Sequence, residues 1–382
     1  MKAKYLPLIA LVVTFFSCIE DNSDEIADLS TPDTYTFKRD GISTVSYQGQ
    51  TDRLNMLSEM KSYLTKGDNG TAISAQTLLD MYANANEPFE SGELNAATSK
   101  QLENKTSPAD VEFFKGIMVD AADVSAEVAI NGTEASEGVA GKIERGTSGK
   151  FININEKGWE FTQFIEKGLM GSVFYHQIFN AYLSDSKIGE GVNNENLVEG
   201  KNYTTLEHHW DEAFGYWGVP VDFPKGTPAL PDSYKRFWAN YTNGRDAMLN
   251  VNQPMMDAYI LGRTAIVANN HTVKNEQIVT IIDLHELVSA ATAIHYINDS
   301  MNALSTGDSG NFFHSLSEGY AFVAALKHSP RKKITQANID DILKVDFGVD
   351  GDFWTVTMAG LQSAKDKLTS AYPELKEIED VL

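Results

Sequence analysis

From Thr51 onward, apolar residues recur every three or four positions, the spacing of helices that bury one face. Leu54, Leu57, Met60, Tyr63 and Leu64 predict a first helix, and Leu78–Ala85 a short second one. Ser107 as cap and Pro108 in the opening turn introduce a third, Val111–Ile130. Glu156–Leu183 is apolar nearly all round, from Trp159 and Phe161 to Phe179 and Tyr182, and predicts a central helix buried on every side. Further helices are predicted over Leu206–Trp217, Ser233–Asn269 with a bend at Pro254, Val273–Ala303, Phe312–Lys327 closed by Pro330, Ala337–Val345 and Thr355–Tyr372. The helical period is absent at the start, where Thr34–Phe37 and Ile42–Tyr47 flank Arg39-Asp40-Gly41 and read as a hairpin. Ser91–Lys105, Asn131–Gly149 with its five glycines, and Ser184–Tyr203 read as loops. Four prolines between Pro220 and Pro231 interrupt the helices near mid-chain. The expectation is an all-α protein with a small N-terminal β-hairpin, in two related helical-bundle halves, 34–219 and 232–382, joined by a proline-rich linker over 220–231.

The relation between the halves rests on a repeated motif. His208, Glu212, Ala213, Phe214, Gly215 and Tyr216 match His314, Glu318, Gly319, Tyr320, Ala321 and Phe322 in spacing and kind. On a helix, residues four apart share a face, so each histidine lies beside its glutamate. Trp210, Ala213, Phe214 and Trp217 form an apolar stripe opposite His208, as Leu316, Gly319, Tyr320 and Val323 do opposite His314. A histidine and a carboxylate taken into such surroundings need each other, or a cation, to offset desolvation.

Three readings of the pairs follow. They lock helices as hydrogen-bonded pairs, they hold a metal or cofactor between helices, or they carry metal-assisted hydrolysis with glutamate as base. His209 and Asp211 are alternatives to His208 and Glu212. Glu166 and Glu286, on the long helices that precede the motifs, are candidate further carboxylates. His176 and His295, in apolar stretches, read as core residues. His285-Glu286-Leu287-Val288-Ser289 opens like a zinc-peptidase motif, but Ser289 stands where the second histidine is required. Neither a nucleophilic serine elbow nor a phosphate-cradling loop with a lysine is found.

Composition narrows the partners. A formal charge of −22 opposes binding to nucleic acid or an anionic membrane, both of which need basic surfaces. Lys2 and Lys4, the apolar run Tyr5–Phe16 and the small Ser17 form a secretory signal over residues 1–17, too short for the roughly 20 residues of a membrane span. Cys18, the single cysteine, follows at once in Phe15-Phe16-Ser17-Cys18, a loose lipobox. The expectation is a lipid-anchored protein of the outer membrane, tethered through Cys18 and residues 18–33. The acidic run Glu20–Glu25 resembles a surface-export signal of Bacteroidota lipoproteins; the surface and the periplasmic face both remain open. With its cysteine used in the anchor, the chain has no disulfide and no thiolate metal site.

The stretch His208-His209-Trp210-Asp211-Glu212-Ala213-Phe214-Gly215-Tyr216-Trp217-Gly218, the run Lys167–Gly171 and the stretch His314–Phe322 together resemble a family of Bacteroidota lipoproteins that carry a domain of unknown function and are associated with imelysin-type proteins. More distantly, the chain is similar to imelysin, an all-helical periplasmic or surface protein of two bundle halves with a His-x-x-Glu signature. His209 and Glu212 match that signature in spacing, with Glu207 where its glycine is expected; His314 and Glu318 depart further. The resemblance implies a role in iron or haem acquisition, with metal ligation at His209 and Glu212, and at His314 and Glu318. It also implies partners among imelysin-type proteins or an outer-membrane receptor. The other expectation is a non-catalytic accessory subunit of an outer-membrane transport system.

Overall fold

A computed structural model describes residues 29–382, so the expected leader and the lipid attachment at Cys18 lie outside the described residues. The described chain is mostly helical. It opens with a minimal antiparallel hairpin, β1 (Lys38–Arg39) and β2 (Ile42–Ser43), around Asp40-Gly41. Then follow α1 (Gln48–Asp68), α2 (Ala75–Ala83), α3 (Gly92–Ala96) and α4 (Val111–Asn131). A second hairpin, β3 (Gly141–Arg145) and β4 (Lys150–Ile154), leads to α5 (Phe161–Leu169). Two π-helical segments, Met170–Tyr175 and Gln177–Tyr182, continue α5. The remainder is α6 (Asp185–Ile188), α7 (Thr205–Trp217), α8 (Phe237–Leu249), α9 (Asn252–Val267), α10 (His271–Thr306), α11 (Ser309–Ala325), α12 (Gln336–Asp341) and α13 (Met358–Ala371).

The structure differs from the sequence expectation at α6, which lies in the predicted loop Ser184–Tyr203, and at three other places, each for a local reason. The predicted loop Asn131–Gly149 and the residues just after it form the β3–β4 hairpin, and the expected central helix begins at Phe161 instead of Glu156. Ile152 and Ile154 point into the core, and the Asn155 side chain accepts the N–H groups of Lys157 and Trp159 to turn the chain into α5. The break in Ser233–Asn269 falls at Asn250, which is left-handed (φ 49°, ψ 55°), and not at Pro254. Pro254 sits in the first turn of α9, where its missing N–H costs nothing. The predicted loop Ser91–Lys105 contains α3, capped by Ser91, whose hydroxyl accepts the N–H of Leu94.

The core explains where the motif helices lie. Trp210, Ala213, Phe214 and Trp217, the predicted stripe of α7, are all fully buried. Trp210 donates to the Tyr259 carbonyl of α9 at 3.0 Å, and Trp217 to the Thr242 hydroxyl of α8 at 3.0 Å. Contact with α9 is close enough that a Cβ on Gly262 would stand 2.1 Å from the Trp210 ring. From the opposite side the Tyr35 ring stacks on Phe214 at 3.8 Å, which fastens the N-terminal hairpin to α7. α11 lies between α10 and α5, and buried side chains before and after the proline-rich segment join one apolar cluster. By length and composition α10 could cross a membrane, but 61% of its apolar window is buried inside this fold, the mark of a core helix.

Candidate functional site

α7 begins at a capping box, in which the Thr204 hydroxyl accepts the Glu207 N–H and the Glu207 carboxylate accepts the Thr204 N–H. With that start fixed, His208, His209, Asp211 and Glu212 are dealt to different sides of the helix. His208 and Glu212 face the start of α1. The His208 Nδ1–H donates to the Ser46 carbonyl at 3.0 Å, and the ring stacks on Tyr203 at 4.6 Å. That bond assigns the proton of the neutral ring to Nδ1, so Nε2 presents a lone pair, 3.9 Å from Glu212 Oε1. Glu212 also accepts from Gln50 Nε2 at 3.0 Å. Gln50 reaches it because Gly215 lets α1 come close: a Cβ there would meet Tyr47 at 2.6 Å.

His209 turns elsewhere, donating from Nδ1 to the Lys187 carbonyl at 2.6 Å. Asp211 is fully buried. It accepts from Tyr35 Oη at 2.7 Å, the Ser46 N–H at 3.1 Å and Arg263 Nε at 3.1 Å, while Glu207 binds both Arg263 and Arg39 at 3.0 Å. Asp211 and Glu207 thus hold the hairpin and α9 to α7, while His208 and Glu212 line open space.

That space is a cavity of about 460 Å³, lined by α1, the segment before α4, the π-helical Tyr182, Tyr203, His208 and Glu212. Its outer wall carries Arg53, Lys100 and Lys105. The Tyr182 hydroxyl receives hydrogen bonds from Gln50 and from Lys105 at 3.3 and 3.2 Å. Burial raises the Tyr182 pKa, and Glu212 adds to the effect, so Tyr182 stays a neutral donor on this wall.

The second motif has the same internal geometry in a tighter setting. His314 Nδ1–H donates to Glu160 at 2.7 Å, and Nε2 stands 3.9 Å from Glu318 Oε1. Glu318 lies 3.8 Å from Lys167, which pairs with Glu166 at 2.9 Å, and Glu166 pairs with Lys61 of α1 at 2.8 Å. Burial disfavours the His314 imidazolium, but the Glu160 carboxylate outweighs it and raises the pKa. The charged His314–Glu160 pair therefore stabilises the fold fully below about pH 6.5, and its contribution fades as pH rises through the raised value. The side chains of His314 and Glu318 are 16% and 8% exposed, against 30% and 17% for His208 and Glu212.

The motifs do not meet in one centre. Glu212 is reached from Gln50 and the Glu318 chain ends on Lys61, about 16 Å farther along α1 at 1.5 Å per residue. The His314 pair opens on a separate cavity of about 380 Å³, lined also by Arg145, Tyr296 and Asp299. Among the described residues, no three His, Cys, Asp or Glu side chains stand together as a group able to hold a metal ion. Each motif offers two donors.

The other candidates serve the core. Glu166 is enclosed between Lys61 and Lys167. Glu286 accepts from Ser329, from the Lys333 N–H at 2.6 Å and from Tyr372 at 2.7 Å, and Ser289 donates to the Phe322 carbonyl, so the peptidase-like run is packing. His295 and His176, expected in the core, are only half-buried: His295 lies 3.5 Å from Asp299, and His176 packs against His328 at 5.2 Å. Glu160 was missed from sequence because nothing local marks a residue that pairs with a histidine 154 positions on. The cationic wall was missed because Arg53, Lys100 and Lys105 come from a helix and a loop that read as ordinary surface.

The fold defines a mostly helical protein with a small hairpin near its described start. The chain belongs to the family described as Domain of unknown function (DUF4856), whose model matches residues 32–373. No curated protein and no solved structure matches it.

Proposed function

We propose that the protein is a non-enzymatic binding protein of the cell envelope, anchored to the outer membrane through Cys18, which captures a metal ion at His208 and Glu212. The observation that carries this reading is that His208, held through Nδ1, lines the cavity with Nε2 beside Glu212. A metal-binding histidine donates its other ring N–H to a carbonyl or carboxylate, which fixes the tautomer and turns the free nitrogen to the ion. His208 has that arrangement toward Ser46, with Glu212 placed so that one ion or one water fits between Nε2 and the carboxylate. Two protein donors leave the remaining positions to water or to a chelator, so the ion is exchangeable.

Iron follows from the resemblance to imelysin-associated lipoproteins, and the polar lining of the cavity favours an ion or its chelate over haem. Among the transferred residues, Glu212 keeps its role, while His208 replaces His209. In titration calorimetry with ferrous and zinc ions, the protein is expected to bind one ion, His208→Ala/Glu212→Ala to lose that binding, and His209→Ala to retain it. Binding unchanged in the double variant would overturn the assignment.

For His314 and Glu318 the helix-locking reading is favoured by the continuous charged chain from Glu160 through Lys167 and Glu166 to Lys61, which joins α1, α5 and α11. An accessory role beside an imelysin-type protein or an outer-membrane receptor is compatible with both assignments.

A further inference from the structure

The wall of the His208 cavity opposite the motif is basic in a strongly acidic chain. The chain carries 53 acidic and 31 basic side chains, yet Arg53, Lys100 and Lys105 converge here. Among the described residues, none of the three makes an ion pair. Arg53 donates to the Gln101 and Gly49 carbonyls, and Lys105 to the Tyr182 hydroxyl. The acids on the lining are Asp52, which accepts from Gln48 at 2.8 Å, and Glu212, held by Gln50. Three cations are thus brought together without a carboxylate of their own, in a protein that has carboxylates in excess.

We infer that this cavity binds a small anionic ligand through Arg53, Lys100 and Lys105, the bound group being an oxyanion of the carboxylate or phosphate type. Several observations agree with it. Burial lowers the Lys105 pKa, and the positive charges of Arg53, Lys187 and Lys100 lower it further, so an anion entering here relieves a repulsion that Glu212 offsets only in part. Arg53 is almost fully buried, and the carbonyls of Gly49 and Gln101 hold its guanidinium in place, so an anion meets a charge whose ordering cost is already met. Asn104 and Ser99 add neutral donors on the same rim, and the Tyr203–His208 stack offers a flat face for the body of the ligand. The inference rests on the metal reading only in placing the ligand in this cavity. If both hold, the cavity takes an ion on one wall and the negative groups of its chelator on the other.

The test is titration calorimetry and thermal melting of the full-length protein in detergent, with citrate and with inorganic phosphate, against sodium chloride at a fixed ionic strength of about 0.15 M. The expected result is saturable binding of at least one of the two anions. Lys105→Gln and Lys100→Gln should each weaken it roughly tenfold, the value of one charged hydrogen bond. Lys344→Gln, at an exposed position of the π-helical segment Ile342–Asp346, should leave it unchanged. Lys105→Gln should also melt slightly higher than the parent without ligand, because a self-repelling charge is gone, while losing the anion-induced shift; a merely structural lysine would give the reverse. Citrate bound without phosphate would mark a polycarboxylate ligand, and phosphate bound without citrate a phosphate ester. Anion effects no larger than those of chloride, or wild-type binding in both glutamine variants, would overturn the inference. A parallel zinc titration without either anion keeps the two readings apart: zinc bound with no anion binding overturns this inference alone, and the opposite result overturns the metal site alone.

Discussion

Arg263→Met is expected to destabilise the protein by about 3–5 kcal/mol, the cost of leaving buried charges without a partner. Arg263 is completely buried and donates to Asp211, Glu207 and Thr44 from three different nitrogens. Without it, Glu207 keeps Arg39, but Asp211 keeps only the neutral donors Tyr35 and Ser46. Burial already raises the Asp211 pKa against the pull of Arg263, so the carboxylate has little tolerance for losing that cation. The consequence reaches the cavity, because the Ser46 N–H binds Asp211 while the Ser46 carbonyl orients His208. Urea unfolding at neutral pH checks the magnitude, and a loss under about 1 kcal/mol would show that the network is not the clamp described. The same variant, under conditions where it remains folded, should bind metal and anions more weakly.

The second large effect concerns His285. Its ring is wholly buried among Tyr175, Phe179 and Trp238, and both ring nitrogens lack a hydrogen-bond partner among the described residues. Burial alone pushes its pKa down to about 3. The folded protein therefore keeps His285 neutral, while the unfolded chain takes up a proton near pH 6.5, so stability falls as the pH drops below that value. Between pH 7 and pH 4 the loss from this residue is on the order of 3 kcal/mol. His285→Leu removes the proton acceptor together with two unsatisfied polar atoms. It should be more stable than the parent by about 1 kcal/mol at pH 7, and the difference should widen as the solution is acidified. Urea midpoints at pH 7, 5.5 and 4 measure this, with the parent as reference so that other titrating groups cancel. Parallel pH profiles for the two proteins would refute the account of His285.

Much of the helical framework is legible in the sequence because its signals are local. The apolar period of Leu54, Leu57, Met60 and Leu64 marks α1, and the rings of Trp210, Phe214 and Trp217 mark the buried face of α7. The break before α9 was misplaced because Pro254 is a visible signal, whereas the left-handed Asn250 that ends α8 is one asparagine among many. The β3–β4 hairpin was hidden by short strands whose alternation covers few residues. At the site, the four-residue spacing gives the His208–Glu212 and His314–Glu318 pairs, since neighbours on a helix are fixed by geometry. What decides their chemistry lies far away in the chain. Ser46 orients His208 through a backbone carbonyl, a group every residue possesses, and Glu160 reaches His314 across the fold. The choice between His208 and His209 needed the fold for the same reason: both are on α7, but Lys187 engages one and the cavity receives the other.

The metal site depends on His208 Nε2 facing the cavity with a free lone pair beside Glu212. It is tested most directly by following the histidine ring nitrogens by nitrogen-15 NMR while zinc is added to the full-length protein in detergent. The structure predicts that the His208 Nε2 resonance moves from the free-acceptor position to the metal-bound one, while its Nδ1 stays protonated and the His209 and His314 signals do not change. A His208 ring that keeps its spectrum through the titration, or a shift confined to His209, would contradict it.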